Sequence, residues 1–162
     1  MTMISAEMVA KYFLQKDPQR LLFNKKLVEK NNRSSYEGNV KLNKFLFLSQ
    51  VVFMAKYGRK LFNDNFVAYD NGPVIKSIIH DYQILTSKND TIELPELEKN
   101  FLDKMYESLK DVSCDELVEI THEDPEWRKL SNETYSAPVM DIDKYFDLYR
   151  DRYKGFIKYI GL

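Results

Sequence analysis

The sequence predicts a mainly α protein: a single helical domain around a central buried helix, with at most a small two-stranded β ribbon. Three observations carry that expectation. Residues 41–57, KLNKFLFLSQVVFMAKY, are apolar on several faces at once. Leu42, Phe45, Leu46, Val52 and Phe53 fall at helical spacing on one side, and Phe47, Leu48, Val51, Met54 and Ala55 cover most of the remainder. Amphipathic helical stripes recur along the rest of the chain, whereas β-prone runs are confined to residues 66–69 and the dipeptide Thr91-Ile92. Apolar residues make 44% and charged ones 30% of 162, an ordinary globular composition long enough to bury one core without disulfide or metal.

Each element follows from local chemistry, and six to eight helices are expected. Ser5 suits an N-cap ahead of Ala6, Val9, Ala10, Phe13 and Leu14, a helix ending near Lys16. Asp17-Pro18 reads as a cap and first helical residue leading into Leu21, Leu22, Leu27 and Val28, as one helix or two short pieces. Residues 31–39, NNRSSYEGN, read as a mobile loop. After the central helix, the strand at 66–69 is expected to pair with Thr91-Ile92. Asn71-Gly72-Pro73 turns the chain, with Pro73 opening a helix whose inner face is Ile75, Ile78, Ile79 and Tyr82.

Pro95 starts another helix, carrying Leu97, Phe101, Leu102, Met105 and Leu109. Ser113 and Glu116 form a capping box opening a short helix with Leu117 and Val118 inward, and Asp124-Pro125 caps a further turn carrying Trp127. A loop at 131–139 leads to Asp141, cap of a last helix. That helix bears the aromatic stripe Ile142, Tyr145, Phe146, Tyr149, Tyr153, Phe156, Ile157 and Ile160.

On the central helix Asn43, Gln50 and Tyr57 lie seven residues apart, a polar stripe on an apolar cylinder. A buried amide left unpaired costs about 1–3 kcal/mol, so Asn43 and Gln50 are expected to hold the backbone of the turn at 70–73. Trp127 is expected to pack into the core with its N–H on an acceptor.

Composition excludes several functions. With 24 basic against 25 acidic side chains there is no electrostatic case for nucleic-acid binding. The one cysteine, Cys114, rules out an internal disulfide or a multi-cysteine metal site and fits a reducing cytoplasm. The opening MTMISAEMVAKYF lacks an export signal, and no apolar run approaches the ~20 residues of a membrane span. No zinc-protease, phosphate-loop or nucleophile-elbow motif occurs. Neither catalytic residues, nor a metal, nor a cofactor is therefore expected. His80-Asp81 and His122-Glu123-Asp124 are the only carboxylate-flanked imidazoles.

Three stretches carry a family resemblance: Lys41-Leu42-Asn43-Lys44 running to Gln50, Ala68-Tyr69 with Gly72-Pro73-Val74, and Thr121-His122 with Pro125-Glu126-Trp127. Together, over roughly residues 5–127, the chain resembles the Panacea domain, the SocA-type antitoxin family found in phage and prophage genes. It departs from the pattern in having Asn43 where the family has Gln, and in a longer segment at 18–39. The resemblance implies a non-enzymatic cytoplasmic antitoxin that binds a cognate toxin protein and neutralises it, or presents it to a protease. The alternative reading is a phage-linked accessory hydrolase or nucleic-acid-processing protein using His80 and His122. For an antitoxin the working surface is expected at 70–83. There Asn71, Gly72 and Pro73 form a rigid turn, Lys76, His80 and Asp81 project from the next helix, and Tyr69 and Tyr82 offer apolar area. Lys41, Asn43, Lys44, Gln50, Thr121, His122 and Trp127 are then the structural part of the motif.

Overall fold

A computed structural model describes residues 3–30, 33–131 and 137–162. The elements run α1 (Ala6–Gln15), β1 (Leu27–Lys30), β2 (Arg33–Tyr36), α2 (Glu37–Tyr57), β3 (Val67–Tyr69), β4 (Gly72–Val74), α3 (Lys76–Thr86), α4 (Glu96–Leu109), α5 (Cys114–His122), α6 (Pro125–Leu130) and α7 (Phe146–Tyr159). A 3-10 turn, Asp143–Tyr145, precedes α7. The fold is mainly α, as its sequence leads one to expect.

The centre is α2. A helix with no polar face must be surrounded, and α1, α3, α4, α5 and α7 all pack on this one. Every residue from Gly38 to Met54 is buried except Lys41, which is half-buried beside Glu37 at 3.5 Å. Aromatic edges fill the spaces between helices: Phe45 meets Phe13 and Phe23 edge-on, Phe47 meets Phe66, and Phe53 meets Phe101. Tyr57, the last of the polar stripe, is half-buried and packs its ring on Phe53 and Phe101.

Three of the expected caps form, at Ser5, Ser113 and Asp124. Ser5 Oγ accepts from Met8 N at 3.2 Å and Ser113 Oγ from Glu116 N at 3.1 Å. Asp124 Oδ2 accepts from both Glu126 N and Trp127 N. On α7 only Tyr149 of the aromatic stripe is fully buried. Its hydroxyl donates to Asp124 Oδ1 at 2.7 Å and ties α7 to the α5–α6 corner. That helix starts at Phe146, after the 3-10 turn, so Asp141 does not cap it.

The N-terminal third departs most from expectation. Asp17 opens no helix: its carboxylate accepts from Leu21 N, Leu22 N and Phe23 N. Three N–H groups that a helix would have used are diverted into a carboxylate-centred loop, the competition that short acidic side chains offer the backbone. Arg20, at φ 55°, closes that loop by donating to the carbonyls of Leu14, Asp17 and Thr86. The segment expected to be a mobile loop instead holds β2, paired antiparallel with β1, and the first turn of α2, which begins at Glu37. Asn31 and Asn32 lie outside the described residues.

Gly38 explains how the base of this hairpin is fixed. A Cβ there would stand 2.1 Å from both Asn24 N and Tyr82 Oη, so only glycine lets α2 press against them. The Tyr82 hydroxyl in turn donates to Asn24 O at 2.8 Å.

The second ribbon also differs in partner. β3 pairs with β4 across the 70–71 turn, Val67 opposite Val74 and Tyr69 opposite Gly72, and not with Thr91-Ile92. A short loop wins over a distant partner because it orders less chain. On its other side β3 meets the segment at 138–140, through Ala68 N to Pro138 O and Met140 N to Phe66 O. Most of the expected loop at 131–139 falls on 132–136, outside the described residues. Gly72, Pro73 and Val74 thus form strand, and α3 begins at Lys76 with Ile75 as its N-cap, so Pro73 does not open the helix.

Candidate partner-binding site

Two clefts flank the β1–β2 hairpin, and the turn between β3 and β4 reaches both. The outer side of β1, with Glu29, faces a cleft of about 680 Å³ whose other walls carry Glu37, Asn71, Cys114, Asp115 and Glu119. It is acidic. Hydrogen bonding from the Asn24 amide, aided by Lys41, holds Glu37 below the usual carboxylate range, while burial pushes the Cys114 thiol up and leaves it a poor nucleophile. Beyond β2 lies a second cleft of about 510 Å³, walled by Ser34, Tyr36, Tyr69, Ile79 and His80.

Behind the turn, α2 supplies its anchors. Lys44 is fully buried, with Nζ donating to Pro73 O at 2.9 Å. Burial lowers its pKa to about 7, opposed only by the neighbouring Cys114. Asn43 takes the next step along the chain: Ile75 N donates to its Oδ1 at 2.9 Å, and its Nδ2 donates back to Asn39 O and Oδ1. Asn39 Nδ2 reaches Ile79 O on α3. Asn43 therefore fixes the exit of β4 and Lys44 the turn strand itself.

Gln50 does neither. Its Nε2 donates to Phe62 O while Leu61 N and Phe62 N donate to its Oε1, so it anchors the connection after α2, two helical turns away from the β3–β4 turn. The expected shared target fails on distance along the helix: seven residues span about 10 Å at 1.5 Å each.

From the other side come α5 and α6. Gly72, at φ 111°, faces Thr121, whose Oγ1 would stand 2.8 Å from a Cβ at that position, with Lys44 Nζ at 3.2 Å. Thr121 is buried and donates to Val118 O. Trp127 donates Nε1–H to Tyr69 O at 2.7 Å and stacks flat on His122, ring centroids 3.9 Å apart. The indole is half-buried, not in the core as expected, because it lies over His122 at the edge of the ribbon.

The residues expected to meet a partner thus divide. Lys76, His80 and Asp81 are exposed along α3, and Tyr69 and Asn71 are half-buried. Gly72 and Pro73 are buried under Lys44 and Thr121. Tyr82 is a correction: it is 1% exposed, its hydroxyl spent on Asn24, so it is a core residue and offers no surface. His80 walls the second cleft and His122 does not, and among the described residues no group of three or more His, Cys, Asp and Glu could hold a metal. Sequence reasoning missed Leu27, Ser34 and Tyr36, because the hairpin that carries them reads as loop. Leu27 and Val28 themselves read as part of a helical segment.

The anchoring of a glycine-containing ribbon by a lysine from one helix and a threonine–tryptophan pair from two others joins the three stretches that resemble one family. A family model for the antitoxin SocA-like, Panacea domain matches residues 42–128, just over half of the chain. The chain belongs to the SocA-like Panacea family. No curated protein and no solved structure matches it. The matched Panacea segment begins at Leu42, later than the expected start near residue 5. It takes in most of α2, the β3–β4 ribbon, α3 to α5 and the first part of α6, leaving α1, the β1–β2 hairpin and α7 outside it. No helix of the described residues is long and apolar enough to cross a membrane.

Proposed function

We propose that this chain is a cytoplasmic, phage- or prophage-linked antitoxin that binds a cognate toxin protein directly and neutralises it, by occlusion or by handing it to a protease. Membership of the SocA-like Panacea family carries the reading. The structure supports a binding role in two ways. The β3–β4 turn is held from three helices, so little chain has to be ordered when a partner docks. Beside it, Lys76, His80 and Asp81 stand exposed with the half-buried Tyr69 and Asn71, and they form the proposed contact surface.

The test is co-expression with the product of the neighbouring small reading frame, scored for growth rescue and co-purification. A Lys76→Glu, Asp81→Lys double variant with an unchanged thermal melt should lose rescue and weaken binding at least tenfold. Rescue at the wild-type level would place the contact elsewhere, and failure of the wild-type chain to rescue or bind would overturn the antitoxin reading.

A further inference from the structure

The hairpin absent from the sequence reading has an open side. Among the described residues β1 and β2 form a two-strand sheet with no third member, so each keeps one edge without a strand partner. The register decides which groups lie on it. Glu37 N donates to Lys26 O, while Lys26 N is taken by Asn24 Oδ1, so Lys26 and Glu37 stand at a hydrogen-bonded position of the ladder through one bond. Bonded and non-bonded pairs alternate in an antiparallel ladder, so Val28 with Ser35 and Lys30 with Arg33 are bonded too. Ser34 N–H and C=O and Tyr36 N–H must then point away from β1, while Tyr36 C=O, at the N-cap of α2, takes the first intrahelical bond. Ser34 and Tyr36 line the second cleft, opposite Ile79 and His80 of α3, and among the described residues no third strand pairs with β2. An unpaired edge of this kind is a template for another strand.

We propose that the outer edge of β2 binds an uncharged, extended segment of the toxin as an added strand, laid in the cleft between β2 and α3. The proposal rests on the antitoxin reading and goes beyond it in naming the mode of recognition. Main-chain hydrogen bonds supply affinity in this mode, and side-chain pockets supply selectivity. The partner segment is uncharged because none of the described residues lining the cleft is Asp, Glu, Lys or Arg, in a chain where such residues make 30%. Leu27, 64% exposed and directly opposite Tyr36, gives apolar area to one side of that segment, and Ile79 to the other. The hairpin lies outside the Panacea segment, so the edge belongs to this chain's own N-terminal part.

The experiment uses the full chain and the purified product of the neighbouring reading frame. Ser34→Pro removes an outward N–H without touching the β1–β2 ladder, since proline is tolerated at an edge. Ser34→Ala keeps that N–H and removes only the hydroxyl. With thermal melts unchanged, the proline variant should bind at least tenfold more weakly and the alanine variant within twofold of wild type. Amide exchange on the unsubstituted protein gives an independent reading. On complex formation the Ser34 and Tyr36 amides should slow at least tenfold, while Ser35, bonded to Val28, changes little. Equal loss in both variants, or wild-type binding with Ser34 and Tyr36 amides still fast, overturns the proposal and leaves the antitoxin reading standing. A loss of self-association in Ser34→Pro with toxin binding intact would assign the edge to a second copy, and also overturns it. If wild-type chain and toxin do not bind at all, both readings fall together.

Discussion

The two ends of α2 hold loops by different chemistry. At Gln50 one neutral amide satisfies three backbone groups of the Leu61-Phe62 connection, all buried, with donor and acceptor used at once. At Lys44 a buried amine with a single carbonyl partner holds the β3–β4 ribbon, and Thr121 and Trp127 crowd in on Gly72 and Tyr69 from the far side. The Gln50 end is matched group for group and contains nothing that titrates. The Lys44 end is held by shape and by a group whose charge burial suppresses. The difference teaches that the ribbon nearest the proposed contact surface is the part of the protein that depends on pH and on the size of single side chains.

The largest effect should come from filling the crowded end. Gly72→Val adds a side chain at φ 111° against Thr121 Oγ1 and Lys44. Backbone strain and overpacking together should cost about 3–5 kcal/mol in a urea melt. A loss below about 1 kcal/mol would mean that the ribbon yields, and the contrast with the Gln50 end would dissolve. Gln50→Leu, which leaves a carbonyl and two N–H groups without their partner, should cost about 2–3 kcal/mol at any pH between 6 and 9. Trp127→Ala should cost about 2 kcal/mol, less than a fully buried indole, and Trp127→Phe about 1 kcal/mol through the lost bond to Tyr69 O.

The smallest effect at neutral pH, and the most diagnostic, belongs to Lys44. An unfolded lysine holds its proton to about pH 10.4. The folded one releases it near pH 7. Between those values the unfolded state binds the extra proton, so stability should rise with pH, by at most about 1.4 kcal/mol per unit. Below pH 7 both states are protonated and this slope vanishes. Above about pH 10 the buried hydroxyls of Tyr82 and Tyr149, whose pKa values burial raises, reverse it. Urea melts at pH 7, 8 and 9 should show the rise in the wild type and no rise in Lys44→Met, where the raised Cys114 thiol leaves only a small fall toward pH 9. A rise that persists in Lys44→Met would place its source in another group.

How much of this was legible in the sequence depends on what kind of signal each residue carries. α2 announced itself because apolarity all round a helix has one physical solution, and Ser5, Ser113 and Asp124 capped helices because their oxygens lie where orphan N–H groups need them. Asp17 carries the same signal and means something else, since its carboxylate gathers N–H groups four to six residues on. The hairpin was hidden because Arg33, Ser34 and Ser35 have little β propensity, and pairing with β1 decides their state. Of the site, the exposed face of α3 was readable from periodicity. The burial of Tyr82 was readable in part, as it shares the inner face with Ile75 and Ile78. That its hydroxyl ends on Asn24 depends on a loop no local pattern places.

The seam where Gly38, Asn24 and Tyr82 meet has a consequence for how such a protein can change over generations. Both feet of the hairpin are clamped there, by a glycine that admits no side chain and by a tyrosine hydroxyl on a main-chain carbonyl. What lies between the feet can lengthen, shorten or alter its side chains without passing strain to α2, because the clamp isolates it from the helix as a bracket isolates a replaceable part. A lineage can therefore exchange the wall of the second cleft, and with it the segment proposed to bind there, while the buried framework of the Panacea segment stays as it is.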